Sequence, residues 1–204
     1  MLDEAALRGA MDALAKQHAP IAAALGRVGY PPSRQRDPGY ETLLRTIVGQ
    51  QVSVAAAASV WAKLEALLGP GCTPEALLAQ DYDALRACGL SRQKQGYARS
   101  LAELVTSGEL DLHKLPADDE EAIELLVRVK GIGRWSAEIY LLFAEGRLDI
   151  WPAGDLAVQA AIGTILGLSE RPSEKETRAL GEQWRPHRSA MAIMAWHHYN
   201  IKVL

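Results

Sequence analysis

A short segment in the last third of the chain combines two glycines, basic side chains and a tryptophan. Residues 128–135 read RVKGIGRW, with one residue between Gly131 and Gly133. Glycine adopts positive φ without a steric penalty, so such a pair lets two helices reverse sharply. The unpaired N–H groups at the start of the second helix then attract an anion such as a DNA phosphate. Taken alone, the pair equally fits a glycine cap between packed helices.

Positive charge is concentrated at this segment. Arg128, Lys130 and Arg134 lie within seven residues, whereas the whole chain has 22 Lys and Arg against 25 Asp and Glu and a net charge of −3. Such a balance gives no overall attraction for a polyanion. Any nucleic-acid surface is therefore local, and this patch is the best place for it.

An aspartate follows Trp135 at a distance of 20 residues. Asp155 lies in DIWPAGDLAVQAAIG, residues 149–163, immediately before an apolar helical pattern. Asp is a preferred N-cap residue, so capping alone explains its presence. Taken alone, the segment therefore indicates the start of a helix.

The elements that position these residues are predicted to be helices. Apolar residues recur at spacings of three and four, and strand-like alternation is rare, so we predict an all-α chain. Helices are expected over residues 3–16, 21–28, 41–51, 53–68, from Thr73 onward, 81–87, 91–108, 117–129, 134–144, 155–166, 173–184 and 188–201. The charged, periodic amino terminus and the lack of an apolar run of about 18 residues predict a soluble cytoplasmic protein.

The combination of segments resembles the helix-hairpin-helix DNA glycosylase superfamily. Residues 129–163, VKGIGRWSAEIYLLFAEGRLDIWPAGDLAVQAAIG, carry its signature of a hairpin, a buried helix, a Pro and a catalytic Asp. Supporting matches lie at residues 43–61, 89–104 and 184–199. Within the superfamily the chain is most similar to alkylbase glycosylases of the 3-methyladenine DNA glycosylase II type. That likeness implies flipping and hydrolysis of cationic N-methylated purines such as 3-methyladenine, which leaves an abasic site in base excision repair.

The resemblance also implies a domain organisation. A middle helical bundle of residues 38–148 would end in the hairpin, at about 127–134, and residues 1–37 with 149–204 would form a second helical subdomain. DNA would bind in a cleft between them, with Asp155 at the cleft. Because only 37 residues precede the core, we expect the amino-terminal β domain of the larger bacterial relative to be absent.

The same resemblance gives individual residues their roles. Asp155 is the expected catalytic carboxylate, which would stabilise the positive charge that develops when the glycosidic bond breaks, or orient the attacking water. The expected DNA-phosphate contacts are Gly131, Gly133, Arg134 and Lys130. Gln51, with Gln50 beside it, matches the wedge that fills the gap left by the extruded base, although a polar pair that ends a helix explains these glutamines equally well.

Aromatic residues are the expected walls of the base pocket. Trp135 and Trp196 match aromatic positions of the family, where a cationic base gains stacking and cation-π energy. Tyr140 and Trp151 are nearby candidates, and His197 stands where the bacterial relative has an aromatic residue, which leaves the range of substrates open. Each aromatic taken alone also fits a packed core.

The remaining expectations concern reaction type and cofactors. Superfamily members that also cleave the DNA backbone use a Lys nucleophile, and Trp135 occupies that position, so we predict a monofunctional enzyme. Glu138, a charge on an apolar helix, is expected to be structural. Cys72 and Cys88 have no metal-ligand spacing, so no iron–sulfur cluster or other cofactor is expected. A monovalent cation would bind only together with DNA, through the carbonyls of Val127, Val129 and Ile132.

Duplex DNA containing damaged bases is the expected partner, bound by a monomer with no membrane association. In the cell the protein would lie at the nucleoid when DNA-bound. Two alternatives remain. A non-catalytic hairpin DNA-binding module would need the glycines and basic residues but neither Asp155 nor the aromatics, and a glycosylase for oxidised or mismatched bases is disfavoured by Trp135 and the missing cysteines.

Overall fold

The computed structural model describes residues 1–201, so residues 202–204 of the predicted second subdomain lie outside the described chain. Within this part every regular element is helical, which confirms the all-α prediction. The α-helices are α1 Glu4–Gln17, α2 Ala19–Val28, α3 Tyr40–Gly49, α4 Val54–Leu68, α5 Pro74–Leu78, α6 Tyr82–Ala87, α7 Arg92–Thr106, α8 Asp119–Leu126, α9 Arg134–Phe143, α10 Leu156–Leu166, α11 Glu174–Gly181 and α12 Arg188–Asn200. A 3₁₀ turn, Glu182–Trp184, follows α11. None of these helices is long and apolar enough to cross a bilayer.

Short polar side chains explain where most helices begin. Ser53, Thr73 and Ser91 each accept a hydrogen bond from a backbone N–H of the first turn that follows. Ser173 forms a full capping box with Glu176, in which each side chain bonds the backbone of the other residue. An N-cap of this kind stabilises a helix by about 1 kcal/mol, so the local sequence fixes these starts.

The chain divides into two compact units. The central unit is Arg36–Tyr140, and the terminal unit is Met1–Gln35 together with the described chain from Leu141 onward. Each unit has its own buried apolar residues.

In the central unit, α7 is the helix around which the others pack. It contacts α3, α5 and α6, and α3 in turn contacts α4. The buried side chains at these contacts include Leu43, Ile47, Leu77, Leu85 and Leu101. Full burial of one such side chain stabilises the fold by about 1.5–3 kcal/mol, and this packing positions the ends of α3 and α7 that matter below.

In the terminal unit, α12 is the central helix. Its residues Ser189–Ala195 are all buried, and it packs against α1, α2 and α10. This agrees with a sequence that is apolar on nearly every face of that helix. The packing holds the first turn of α12 in place, and that turn anchors the segment before Asp155.

Candidate functional site

The turn between α8 and α9 is a tight reversal at residues 127–133, called the hairpin below. The last carbonyls of α8 are capped within it, since the N–H of Val129 donates to Leu126 O at 3.2 Å. The N–H of Ile132 then donates to Val129 O at 3.0 Å, which closes the turn.

The two glycines of the hairpin differ, which the sequence did not predict. Gly131 has a φ of +83°, and a Cβ there would lie 2.2 Å from the ring of Tyr97. Gly133 is not in the left-handed region, and a Cβ there would meet no atom within 4 Å. Only Gly131 therefore uses the positive φ that glycine tolerates, while Gly133 is exposed and its backbone is open to a ligand.

Arg134 is held by carboxylates of the protein itself. Its guanidinium donates to both oxygens of Glu120, at 2.6 and 2.8 Å, and to Glu138 Oε1 at 2.9 Å. The hydrogen bonds to Glu120 raise the pKa of Arg134 above its usual value, with Glu138 adding in the same direction. Glu138 is 2% exposed, so this pair satisfies a buried charge and fits the structural role predicted for it.

The other two basic residues of the patch also differ from each other. Arg128 forms an ion pair with Glu109, which neutralises its charge. Lys130 is exposed and makes no ion pair within residues 1–201, while its backbone N–H donates to Ser100 Oγ at 3.1 Å. The net positive charge of this surface is therefore smaller than the sequence indicates, and Lys130 carries most of it.

An open cleft of about 1260 Å³ lies within the central unit, beside the hairpin. Its walls come from α3, the start of α7, the hairpin and the first turns of α9. Trp135 lines it and remains 47% exposed. Polar groups on the walls include Thr42, Thr46, Gln93 and Ser136. The volume exceeds the range of about 300–1,000 Å³ typical of small-molecule pockets, so the cleft has room for part of a macromolecule.

The segment after α3 brings two glutamines to the edge of this cleft in different ways. Gln50 is extended, with a φ of −60° and a ψ of 131°, and its amide donates to Gly131 O at 2.8 Å. Gln51 has a φ of +55° and is exposed. Val54, three residues on, is 88% exposed. A non-glycine residue in the left-handed region is uncommon, and such residues cluster at functional sites.

Asp155 is the N-cap of α10 in the terminal unit. Its Oδ1 accepts hydrogen bonds from the N–H groups of Ala157 at 2.8 Å and Val158 at 2.9 Å. These bonds fix the side-chain orientation and place the carboxylate at the positive end of the α10 dipole. The capping role is thus present, and it leaves the catalytic role as a prediction.

The segment that leads to Asp155 is tied down by buried polar side chains. Gln159 donates from its amide to Ala153 O at 2.8 Å, and Ser189 Oγ accepts the N–H of Ile150 at 2.9 Å. Sequence reasoning missed both residues. The available signal was a polar residue on each of two otherwise apolar helices, where a buried polar group needs a partner.

An ion-pair network supports the same segment at its start. Arg188 donates from Nε to Asp149 Oδ1 at 2.9 Å and from Nη2 to Oδ2 at 3.0 Å. Arg185 donates to the same carboxylate at 2.6 Å. A bidentate Arg–carboxylate pair fixes geometry well, so the network holds Asp149 against the start of α12.

Two predicted pocket residues are core residues instead. Trp151 is 3% exposed, and its indole N–H donates to Thr177 O at 2.8 Å. Its ring packs edge-on against Trp184, with the ring centroids 5.1 Å apart. Tyr140 is 3% exposed, and its hydroxyl accepts the N–H of Gly39 at 2.7 Å. Their placement in a base pocket is corrected, because long-range contacts cover both rings.

Trp196 and His197 lie near the end of α12 and are both half-buried. The Trp196 ring contacts Phe143 at 5.6 Å, and His197 Nε2 lies 2.9 Å from Val28 O. Both keep an accessible portion, so their assignment to the base pocket stays a prediction.

The hairpin carbonyls are the remaining expected binding groups. Val127, Val129 and Ile132 lie in one turn, and the Val129 carbonyl, already bonded to Ile132, has a second lone pair for a cation. Within residues 1–201 no group of three or more His, Cys, Asp or Glu side chains is placed to hold a metal, and Cys72 and Cys88 are buried free thiols. Backbone carbonyl oxygens are ligands that hard cations prefer, and the monovalent cation site at the hairpin stays a prediction.

Comparisons with known proteins give matches over most of the chain. The model of the HhH-GPD superfamily of base excision DNA repair proteins matches residues 44–187. DNA-3-methyladenine glycosylase 1 of Schizosaccharomyces pombe is 32% identical over 173 residues, which cover 82% of this chain and 76% of that protein. The crystal structure of a Bacillus halodurans DNA-3-methyladenine glycosidase has a TM-score of 0.87 at 29% identity and covers 94% of this chain and 89% of its own. A Schizosaccharomyces pombe 3-methyladenine DNA glycosylase bound to abasic DNA has a TM-score of 0.78 at 30% identity, with 92% and 95% covered.

Proposed function

Because this chain belongs to the HhH-GPD superfamily of base excision DNA repair proteins, we propose that it is a DNA glycosylase that hydrolyses alkylated purines from duplex DNA. The products are a free base, such as 3-methyladenine, and an abasic site. The relative that shares 32% identity is named as a DNA-3-methyladenine glycosylase, an N-glycosyl hydrolase.

The exposure of Trp135 is the observation that carries the proposed substrate class. A tryptophan that serves only packing is normally buried, whereas Trp135 stands 47% exposed on the wall of the cleft. N-alkylated purines are cationic and electron-poor, so stacking on an indole stabilises the bound base by about 0.5–2 kcal/mol. An uncharged normal base gains less from the same surface, which favours damaged bases.

The hairpin is proposed to hold the DNA backbone. The hairpin leads directly into α9, and the start of a helix attracts anions through its first N–H groups and its dipole. Gly133, immediately before α9, has open space where a side chain would lie. Lys130 adds a side-chain charge, whereas Arg134 braces the hairpin through Glu120. Gly131 shapes the turn. The phosphate is therefore bound mainly by backbone donors and one lysine.

Extrusion of the base requires a group to occupy the vacated space, since unstacking costs a few kcal/mol. Gln51 is proposed as that wedge because it is exposed, adopts the left-handed conformation and lies beside the exposed Val52 and Val54. In other DNA-bending proteins apolar side chains enter between base steps, and the two valines give this segment apolar surface.

Asp155 is proposed as the catalytic carboxylate. Rupture of the N-glycosidic bond puts positive charge on the deoxyribose, and a carboxylate held in a fixed orientation stabilises that charge. The two N–H groups that bind Asp155 Oδ1 supply the fixed orientation. A cationic base leaves readily, so no strong general acid is needed.

The enzyme is proposed to be monofunctional. Related enzymes that cut the DNA backbone use a lysine amine as nucleophile, and this chain has Trp135 at that position. We further propose that it acts as a monomer, in the cytoplasm at the nucleoid.

The test is base release from duplex DNA treated with a methylating agent. Released bases are separated by chromatography, and DNA strands are sized before and after alkali. We expect free methylated purines, with strand breaks only after alkali. DNA binding without release would support the non-catalytic module, and breaks before alkali would support a lyase. Duplexes with 8-oxoguanine or a mismatch test the other alternative, which predicts release from those substrates.

A further inference from the structure

One side-chain hydrogen bond connects the two segments proposed to bind and to distort the DNA. Gln50 Nε2 donates to Gly131 O at 2.8 Å, and these residues are 81 positions apart in sequence. Gln50 lies directly before Gln51, and Gly131 lies at the apex of the hairpin. Both residues line the cleft of the central unit.

The accepting carbonyl is held from a second side. The ring of Tyr97 packs against Gly131 so closely that a Cβ would overlap it at 2.2–2.5 Å. The Tyr97 hydroxyl accepts a hydrogen bond from the amide of Gln93 on the same helix, which fixes the ring. The apex therefore has little freedom, and a bond from Gln50 to its carbonyl fixes Gln50 as well.

The donating side is anchored at the end of α3. Lys94 donates from Nζ to Val48 O at 2.7 Å, which secures the last turn of that helix. The chain then leaves the helix at Gln50 and enters the left-handed region at Gln51, with a φ of +55°. A residue keeps such a conformation when its surroundings determine it. Here both fixed neighbours precede Gln51: the Val48 carbonyl, which Lys94 binds, and Gln50, whose amide bonds Gly131.

We propose that Gln50 is a positioning residue that couples the hairpin to the wedge segment, residues 51–54, so that DNA bound at the hairpin is presented to Gln51 in the orientation needed for base extrusion. This inference rests on the proposed function. It corrects the expectation that both glutamines enter the DNA, because the Gln50 amide is directed to the protein.

The coupling predicts a particular kinetic pattern. Loss of the amide donor leaves the phosphate-binding groups in place, so affinity for undamaged DNA changes less than about twofold. Loss of one hydrogen bond between neutral groups slows base extrusion about three- to tenfold. The single-turnover rate constant at saturating protein falls accordingly, while the half-saturating protein concentration stays near that of the wild type.

The variants are Gln50→Ala, which removes the donor without adding a charge and is the variant used for DNA affinity, and Gln50→Glu, which keeps the shape but also places a negative charge near the DNA. Gln183→Glu is the matched control, because the Gln183 amide also donates to a backbone carbonyl, Leu180 O at 3.0 Å, and lies outside the cleft. Base extrusion is followed by the fluorescence of 2-aminopurine placed beside the damaged base. Base release is measured on the same duplex under single-turnover conditions.

A second measurement needs neither DNA nor activity. The N–H of Ile132 closes the hairpin turn by bonding Val129 O at 3.0 Å, so its hydrogen exchange reports the order of the hairpin. Exchange at Ile132 should accelerate about three- to tenfold in both Gln50 variants and stay unchanged in Gln183→Glu.

These measurements separate two claims: that Gln50 holds the hairpin, and that this hydrogen bond couples the hairpin to base extrusion. If hydrogen exchange at the Ile132 N–H is unchanged in the Gln50 variants, the Gln50–Gly131 hydrogen bond does not hold the hairpin, whatever the activity. Accelerated exchange with wild-type extrusion and release rates overturns the coupling. Faster exchange together with slower extrusion and unchanged DNA affinity supports it. If the wild type releases no base at all, the proposed function fails, and the exchange data still decide whether the Gln50–Gly131 hydrogen bond holds the hairpin.

Discussion

The two glycines of the hairpin provide a sharp test because the structure gives them opposite tolerance for a side chain. Gly131 combines a φ of +83° with a ring in van der Waals contact, whereas Gly133 is unstrained and open. Alanine at each position therefore adds the same single methyl group with different consequences.

The magnitudes follow from the local geometry. At Gly131 the left-handed conformation costs an L-residue about 1–2 kcal/mol. The methyl group would also lie 2.2 Å from Tyr97 Cδ2, and relief of such overpacking typically costs about 1–3 kcal/mol. We therefore expect Gly131→Ala to lower the unfolding free energy by about 2–5 kcal/mol. Gly133→Ala should change it by less than about 1 kcal/mol and can raise it, because the unfolded chain loses entropy.

Chemical denaturation of both variants measures this difference in unfolding free energy. A double-mutant cycle then separates the backbone contribution at Gly131 from the overlap with the Tyr97 ring. Tyr97→Ala removes the ring, so Gly131→Ala should cost only the backbone contribution, about 1–2 kcal/mol, in that background. In DNA binding the order reverses. Gly133→Ala stays folded but weakens affinity, because its methyl group takes up open space directly before α9, where the phosphate is proposed to bind.

Equal stability of the two alanine variants would refute this reasoning about the hairpin. The reasoning would also be refuted if Gly131→Ala lowered the unfolding free energy as much in the Tyr97→Ala background as in the wild type, and by more than the backbone contribution. Unchanged DNA affinity in Gly133→Ala would show that the phosphate does not bind at this backbone.

Three further predictions concern separate residues. Trp135→Ala should leave the unfolding free energy within about 1 kcal/mol of the wild type but slow release of a cationic base roughly tenfold or more. Trp151→Phe loses a buried hydrogen bond, so it should lower the unfolding free energy by about 1–3 kcal/mol and keep normal activity per folded molecule. In binding titrations at several salt concentrations, Lys130→Gln should reduce the slope of log affinity against log salt by about 1. Arg134→Gln should leave the slope unchanged but destabilise the fold, because the buried Glu138 carboxylate loses its ion pair with Arg134. Burial raises the pKa of Cys72 to about 11, so the thiol deprotonates more readily in the unfolded chain. The unfolding free energy should therefore be fully retained below pH 8 and fall as the pH rises from about 8.5 toward 11, and less steeply in Cys72→Ala.

Local sequence determined much of what was predicted correctly. The hairpin, the helix starts and the cap at Asp155 depend on residues within one or two turns, such as Ser53 bonding the N–H of Ala56. Patterns at this range are visible in the sequence because the partners are close in the chain. The same is true of α12, whose apolar residues on every face require burial.

What could not be predicted depends on partners distant in the chain. Nothing near Trp151 indicates that Thr177 and Trp184 cover its indole, so the choice between core and pocket required the folded structure. The sequence likewise predicts a charge at Arg134 that is available for DNA, whereas in the structure Glu120, on the preceding helix, binds its guanidinium. A basic residue in sequence is thus a weak indication of a phosphate contact when acidic residues lie on the neighbouring helix.

Residues 50–51 also show that a sequence does not reveal contacts with distant parts of the chain. Two adjacent glutamines are equivalent in sequence, yet Gln50 bonds the hairpin and Gln51 is exposed in the left-handed region. The difference arises from the position of Gly131, which is fixed by packing of the central unit.

The most direct test of the central claim compares Asp155→Asn with Asp155→Ala and the wild type in release of methylated bases from DNA. Asparagine keeps an oxygen that caps α10, so its stability should stay within about 0.5 kcal/mol of the wild type, while alanine should lose about 1 kcal/mol. If Asp155 is the catalytic carboxylate, both variants bind DNA but release methylated base at least about 100-fold more slowly, since the charge is missing in each. Full activity in Asp155→Asn, with loss only in Asp155→Ala, would show that Asp155 serves the helix and that another group performs the reaction.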